Sequence, residues 1–89
     1  MAFKSKDLSV LSYANGFTLW HYATTDPAAD VDTTGYFNEA AHMLRTGDMV
    51  MANVDTDGVP AAGIFLVSAN TGGTVDVSDL TAVGGTDID

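Results

Sequence analysis

Hydrophobic and polar positions change rhythm three times along this chain. From Phe17 to Thr24 (FTLWHYAT) aromatic and β-branched residues follow one another, which predicts a strand. Its alternation puts Phe17, Leu19, His21 and Ala23 on one face and Thr18, Trp20, Tyr22 and Thr24 on the other. Both faces carry large apolar groups, so cover on both sides is expected. Ahead of it, Phe3, Leu8, Val10 and Leu11 alternate loosely with Lys4, Lys6, Asp7 and Ser9. That reads as an extended N-terminal arm, ending at the Asn15-Gly16 turn signal. Between Tyr36 and Leu44 the period lengthens. Phe37, Ala40, Ala41 and Leu44 stand at i, i+3, i+4 and i+7, the buried stripe of a short helix over about 36–45. Thr33 or Thr34 supplies its cap, Arg45 falls in its last turn, and Gly47 lies just beyond. The preceding stretch from Thr25 to Gly35 reads as a polar loop.

After Gly47 the pattern returns to short strands. Met49 to Val54 and Ala61 to Ser68 flank the turn Asp55-Thr56-Asp57-Gly58, and Thr74 to Val77 follows the turn Asn70-Thr71-Gly72-Gly73. The expected class is mainly β (α+β): a small antiparallel meander or barrel-like sheet with one short helix and the N-terminal arm. Residues 1–89 form a single domain, with 1–12 as arm, 13–83 as globular body and 84–89 as a flexible acidic tail.

Size changes what this pattern can achieve alone. A chain of 89 residues without cysteine hides only about 60–65% of the surface its unfolded form exposes. Small domains usually add disulfides, a metal or association, and disulfides are excluded here. Contact with copies of itself or with a larger partner is therefore expected.

Charge narrows the choice of partner. Twelve acids against Lys4, Lys6 and Arg45 give −9, and without the two lysines residues 7 to 89 carry −11. Such a surface repels phosphate backbones and anionic lipid, so neither nucleic acid nor membrane is an expected partner. The longest apolar run, Pro60 to Val67, is far too short to span a bilayer. No apolar segment of secretory type follows the lysines. The protein is expected to work where it is made, or in a particle assembled there.

Candidate chemistry is sparse. Asp55, Asp57 and Gly58 resemble the start of a calcium loop, but the glutamate such a loop needs is missing, since Glu39 is the sole glutamate. Asp26, Asp30 and Asp32 crowd one loop and read as solvated acids rather than as ion ligands. His21 and His42 have no Cys or paired carboxylate at ligand spacing. The glycines form neither a dinucleotide fingerprint nor a phosphate loop, and no strained nucleophile turn is evident. The expectation is no enzyme, no cofactor and no metal. The aromatic cluster around Trp20 belongs either to the core or to a subunit interface.

The run Tyr13-Ala14-Asn15-Gly16-Phe17-Thr18-Leu19-Trp20-His21-Tyr22, with Val31-Asp32-Thr33-Thr34-Gly35-Tyr36-Phe37 and Gly47-Asp48, resembles a family of small tailed-phage structural proteins. The resemblance covers about residues 8 to 81, within the size of one domain. It implies a virion component on the outer surface of the phage head: a capsid decoration (cement) protein, often a homotrimer, that bridges major capsid subunits. The alternative it implies is a receptor- or glycan-binding head-spike or tail-fibre module, with Trp20 and Tyr22 stacking on sugars and Asp30 and Asp32 bonding hydroxyls. The chain is short for a fibre, which favours cement. The candidate interface residues are Phe3, Lys4, Lys6, Leu8, Val10, Phe17, Trp20 and Tyr22. In this reading the apolar arm adds a strand to a capsid edge while the lysines meet shell carboxylates.

Overall fold

A computed structural model of the chain describes residues 3–84. The domain is mainly β. Strand β1 (Leu8–Ala14) turns into β2 (Phe17–Ala23) through Asn15 and Gly16, both at positive φ (56° and 83°). That is the two-residue hairpin geometry whose twist matches the flanking strands, and Asn-Gly adopts it at little cost. A long crossover, residues 24–48, carries helix α1 (Ala28–Val31) and delivers β3 (Met49–Val54) parallel to β2. Strand β4 (Ala61–Thr71) then pairs antiparallel with β3. Its other edge receives β5 (Thr74–Val77) and the short β6 (Thr81–Ala82). The sheet order is β1-β2-β3-β4-β5, with β6 beside β4.

Strand alternation sorts residues onto two faces. The inner face carries Trp20 and Tyr22 from β2, Val50, Ala52 and Val54 from β3, and Phe65 and Val67 from β4, all buried. The crossover lies over this face and contributes Val31, Phe37, Ala40 and Leu44, all 1% exposed or less. Gly63 sits where β6 crosses: a Cβ there would collide with the Thr81 carbonyl oxygen and the Leu80 side chain. Only glycine lets the two backbones approach so closely.

Three expectations need correcting in detail. Over 36–45 the chain winds mostly as consecutive turns, with one 3₁₀ turn at Asn38–Ala40 and no α-helix. Its bonds are mainly i→i+3, such as Asn38 N–H to Gly35 O (3.1 Å) and Ala40 N–H to Phe37 O (2.9 Å). Neighbouring strands hold it in this form. The Asn70 amide donates to the carbonyls of Ala41 (2.7 Å) and Leu44 (2.6 Å), and Asn38 Oδ1 accepts from Val75 N–H (2.9 Å). These tertiary bonds override the local helical pattern, while Phe37, Ala40 and Leu44 still point into the core. The α-helix instead occupies Ala28–Val31, inside the stretch read as a loop, immediately after Pro27. Proline next to the first helical turn is a start signal, and the two alanines behind it favour helix.

The second correction is topological. The meander is broken by one parallel pair, β2 with β3, because the crossover returns over the inner face. The third concerns the arm. The described part of residues 1–12 is neither extended throughout nor detached: Ser5–Asp7 winds as a 3₁₀ turn, Phe3 is 6% exposed and Leu8–Ala14 is a sheet strand. Phe3, Tyr22, Tyr36 and Phe37 form one aromatic cluster. Phe3 stacks on Tyr22 at 5.4 Å between centroids, and Phe37 meets Phe3, Tyr22 and Tyr36 edge-on at 5.1–5.4 Å. Of the tail at 84–89, all but Gly84 lies outside the described residues.

Candidate functional site

The eight candidate interface residues part company in the structure. Phe3, Trp20 and Tyr22 are core side chains. None of the three can reach a partner or stack on a sugar while the domain is folded. Leu8 is half-buried against the core. Val10 and Phe17 are exposed (56% and 57%), as are Lys4 and Lys6. The two lysines line a polar surface pocket of about 340 Å³ with Asp7, Thr24, Asp26 and Thr56, and Lys6 Nζ lies 3.1 Å from Asp7 Oδ1.

Trp20 is held by a buried carboxylate. Asp48 has no exposed surface, and its Oδ2 accepts from Trp20 Nε1 (3.2 Å) and from the Arg45 N–H (3.1 Å). Its Oδ1 accepts from the Thr18 N–H at 3.0 Å. One side chain thereby ties β2 to the turn that launches β3. A buried carboxylate is tolerable only with such donors around it. Gly47 N–H adds a bond to Val67 O (2.8 Å). The Gly47-Asp48 pair and the aromatic run are thus two halves of one joint.

A second chain of bonds runs through the tyrosines. Lys4 N–H donates to Tyr22 Oη (3.2 Å), Tyr22 and Tyr36 hydroxyls lie 3.0 Å apart, and Tyr36 Oη donates to Asp26 Oδ2 (2.7 Å). Burial pushes the Tyr36 hydroxyl well above the usual tyrosine value, and its bond to Asp26 pushes the same way. The proton stays on Tyr36, where Asp26 needs it.

The remaining candidate chemistry resolves into local structure. Asp55 adopts positive φ (52°) and its Oδ2 accepts from Val59 N–H (3.2 Å), closing its own turn. Asp32 has its carboxyl raised by partial desolvation, then by the negative charge of Asp79, Asp76 and Asp30. Among the described residues no three His, Asp or Glu side chains form a group able to hold a metal. His21 lies on the outer sheet face, 2.9 Å from Asn53 Oδ1, while His42 projects from the turn segment. Among the described residues no helix is long and apolar enough to cross a membrane.

Among the described residues two extended apolar surfaces are left uncovered. The first is the outer sheet face. Cross-strand register places Leu19, Met49 and Leu66 in one row, and His21, Met51 and Ile64 in the next. Met49, Met51 and Leu66 are 47%, 39% and 44% exposed. At one end Phe17, Leu19 and Met49 line a shallow hollow of about 180 Å³. The second is the edge of β1, which among the described residues pairs only with β2. Val10, Leu11 and Tyr13 on it are all more than half exposed. Neither surface carries a charge: β1, β2, β3 and β4 contain no Asp, Glu, Lys or Arg. In a chain of net −9, all of that charge lies outside these four strands. Natural sheets usually blunt an open edge with lysine, proline or a bulge. Here a register shift at Leu11, between Val10 and Ser12, is the single such device on β1.

Sequence reasoning placed Val10 and Phe17 at an interface and expected cover on both faces of β2. The structure leaves the outer face open, with Phe17 57% exposed, and the Met49 and Met51 positions on it were not singled out. The signal was present in the alternation of Met49, Met51 and Asn53 with Val50, Ala52 and Val54. Methionine on a solvent face is the clue. No protein-family model, curated protein or solved structure matches the chain.

Proposed function

We propose that this chain is a non-catalytic structural protein that decorates a tailed-phage head, a cement protein bridging major capsid subunits from the outside of the virion. The observation that carries the docking part is the uncharged and apolar edge of β1, which no strand among the described residues covers. A strand from a capsid subunit adds to that edge through backbone hydrogen bonds, and Val10, Leu11 and Tyr13 supply apolar contact. Lys4 and Lys6, just ahead of the strand, meet carboxylates on the shell. Each contact is small. Many copies bound across a lattice convert weak contacts into a strong clamp. The virion setting is supported by the resemblance carried in residues 13–22, 31–37 and 47–48. Those segments hold the β1–β2 turn, the Phe37 core contact and the Trp20–Asp48 joint. A likeness there is one of fold rather than of chemistry.

The test is the amount of this protein in purified particles relative to the major capsid protein, together with the heat resistance of heads stripped of it. Copies in proportion to the shell, and stripped heads that burst at lower temperature, are the expected results. A few copies confined to tails, or stripped heads as robust as native ones, would overturn the reading. Val10→Lys probes the edge itself. It is expected to fold, because Val10 is exposed, and to lower uptake by stripped heads about tenfold or more.

A further inference from the structure

We propose that the outer sheet face, built around Leu19, Met49, Met51, Ile64 and Leu66, is where two copies of this chain pack sheet against sheet about a two-fold axis. This surface is distinct from the β1 edge, and the inference stands whether or not the protein decorates a capsid.

Three observations favour a second copy over a foreign partner. The first is the missing layer. A sheet with one apolar face buried and one apolar face open is half of a two-layer arrangement. The crossover covers the inner face, and nothing in the described chain covers Met49, Met51 and Leu66. Two such sheets, stacked about 10 Å apart, complete a sandwich. The second is charge. This net −9 chain repels its own copies wherever aspartates face one another. The strands that form the outer face hold no charged residue, so copies meet there without acid against acid. A basic partner, which the rest of the surface would attract, finds no acid on this face to pair with. The third is area. Strands about 4.8 Å apart, rising about 3.3 Å per residue, give β1, β2, β3 and β4 together, at about six residues each, a flat area near 400 Å², and more as accessible surface. Two copies then hide on the order of 1,000 Å², the threshold of a specific interface.

Two-fold symmetry places the centre of the face against itself. Met51 lies in the middle row, between His21 on β2 and Ile64 on β4. Its flexible thioether suits a self-complementary contact that both copies must fill alike.

The experiment is sedimentation equilibrium on the purified full chain in moderate salt, up to millimolar concentration. The expected mass is twice that of the chain. Met51→Lys and Leu66→Lys are expected to raise the dissociation constant about 100-fold or more, while Val59→Lys, on the exposed loop after β3, leaves it unchanged. Near-UV circular dichroism of the single buried tryptophan checks that each variant folds. If the lysine variants fail to fold, Met51→Cys decides the matter. The chain has no other cysteine, and across sheets about 10 Å apart the two thiols stand too far for a direct disulfide, so a short bis-maleimide linker is expected to join them and not to join Val59→Cys. A monomer throughout, a trimer, or a dimer insensitive to Met51→Lys and unlinked by Met51→Cys would overturn the proposal.

Discussion

The two faces of this one sheet obey opposite rules. On the inner face each strand offers its large residues to a layer of the same chain, and the crossover, Phe3 and β5 fill the space above them. Polar groups that go inside are paired: among the described residues no buried side-chain nitrogen or oxygen lacks a hydrogen-bond partner. On the outer face the side chains are as apolar, yet Met49, Met51 and Leu66 keep 39–47% of their surface in solvent. The comparison separates two uses of hydrophobicity. Inner residues hold this chain in one shape. Outer residues contribute little until something else covers them, because apolar surface stabilises only when it leaves water.

The sheet edges repeat the contrast. The β5 edge is closed by the crossover, with Gly35 N–H donating to Val75 O (2.9 Å) and Asn38 accepting from Val75 N–H. The β1 edge is closed by nothing described. Among the described residues the long open features are thus the outer face of β1–β4 and the β1 edge, both uncharged, beside the two-residue exposed β6.

Substitutions that break the contrast should differ greatly in cost. The largest effect is expected at Asp48. Asp48→Ala strands three donors, the Trp20 indole and the amides of Thr18 and Arg45. Each unsatisfied buried group costs about 1–3 kcal/mol, so urea unfolding should show the domain losing most of its stability or failing to fold. Phe3→Ala comes next. It removes a ring from the aromatic cluster and should cost about 3 kcal/mol; a loss near zero would mean the N-terminus contributes no core. On the outer face, Met49→Thr should change monomer stability by less than about 0.5 kcal/mol while weakening self-association. A large loss of monomer stability there would erase the distinction between the faces.

The smallest effect belongs to the acidic surface. Asp32 has its carboxyl raised above the ordinary 3.8, so the folded state holds that proton more tightly than the unfolded chain. Its contribution is favourable below the unfolded value and is lost as pH rises through the higher folded one. At neutral pH the charged Asp32 therefore opposes folding slightly. Asp32→Asn should raise the melting temperature a little at pH 7, should do so less in high salt, and should give no gain once the pH falls below the unfolded value. A destabilised Asp32→Asn at pH 7 would contradict the repulsion from Asp79, Asp76 and Asp30.

How far the sequence reveals this molecule depends on the range of the interactions involved. Strands β2, β3 and β5 and the Asn15-Gly16 turn follow from alternation and local turn chemistry, and the structure places them where the pattern does. The stripe Phe37, Ala40, Leu44 predicts the right buried residues and the wrong winding, because Asn70 and Val75 act on it from far along the chain. Trp20 illustrates the same limit for the candidate site. Its sequence context fits an interface as well as a core, and only Asp48, 28 residues away, decides. The alternation separates Met49 and Met51 from Val50, Ala52 and Val54, but it does not say which of the two sides stays free. Which side of β3 is covered depends on the path of the crossover, and a strand pattern alone carries no information about handedness or cover.

The central claim is that β1 is an edge awaiting a strand from the shell. Hydrogen exchange on the chain, free and bound to assembled heads, tests it directly. The outward amides of Leu8–Ala14 should exchange quickly in solution and slow markedly on the particle, while the amides of β3 and β4 stay slow throughout. Heads that bind the chain and leave β1 exchanging as fast as before, or heads that take up none of it, would contradict the account.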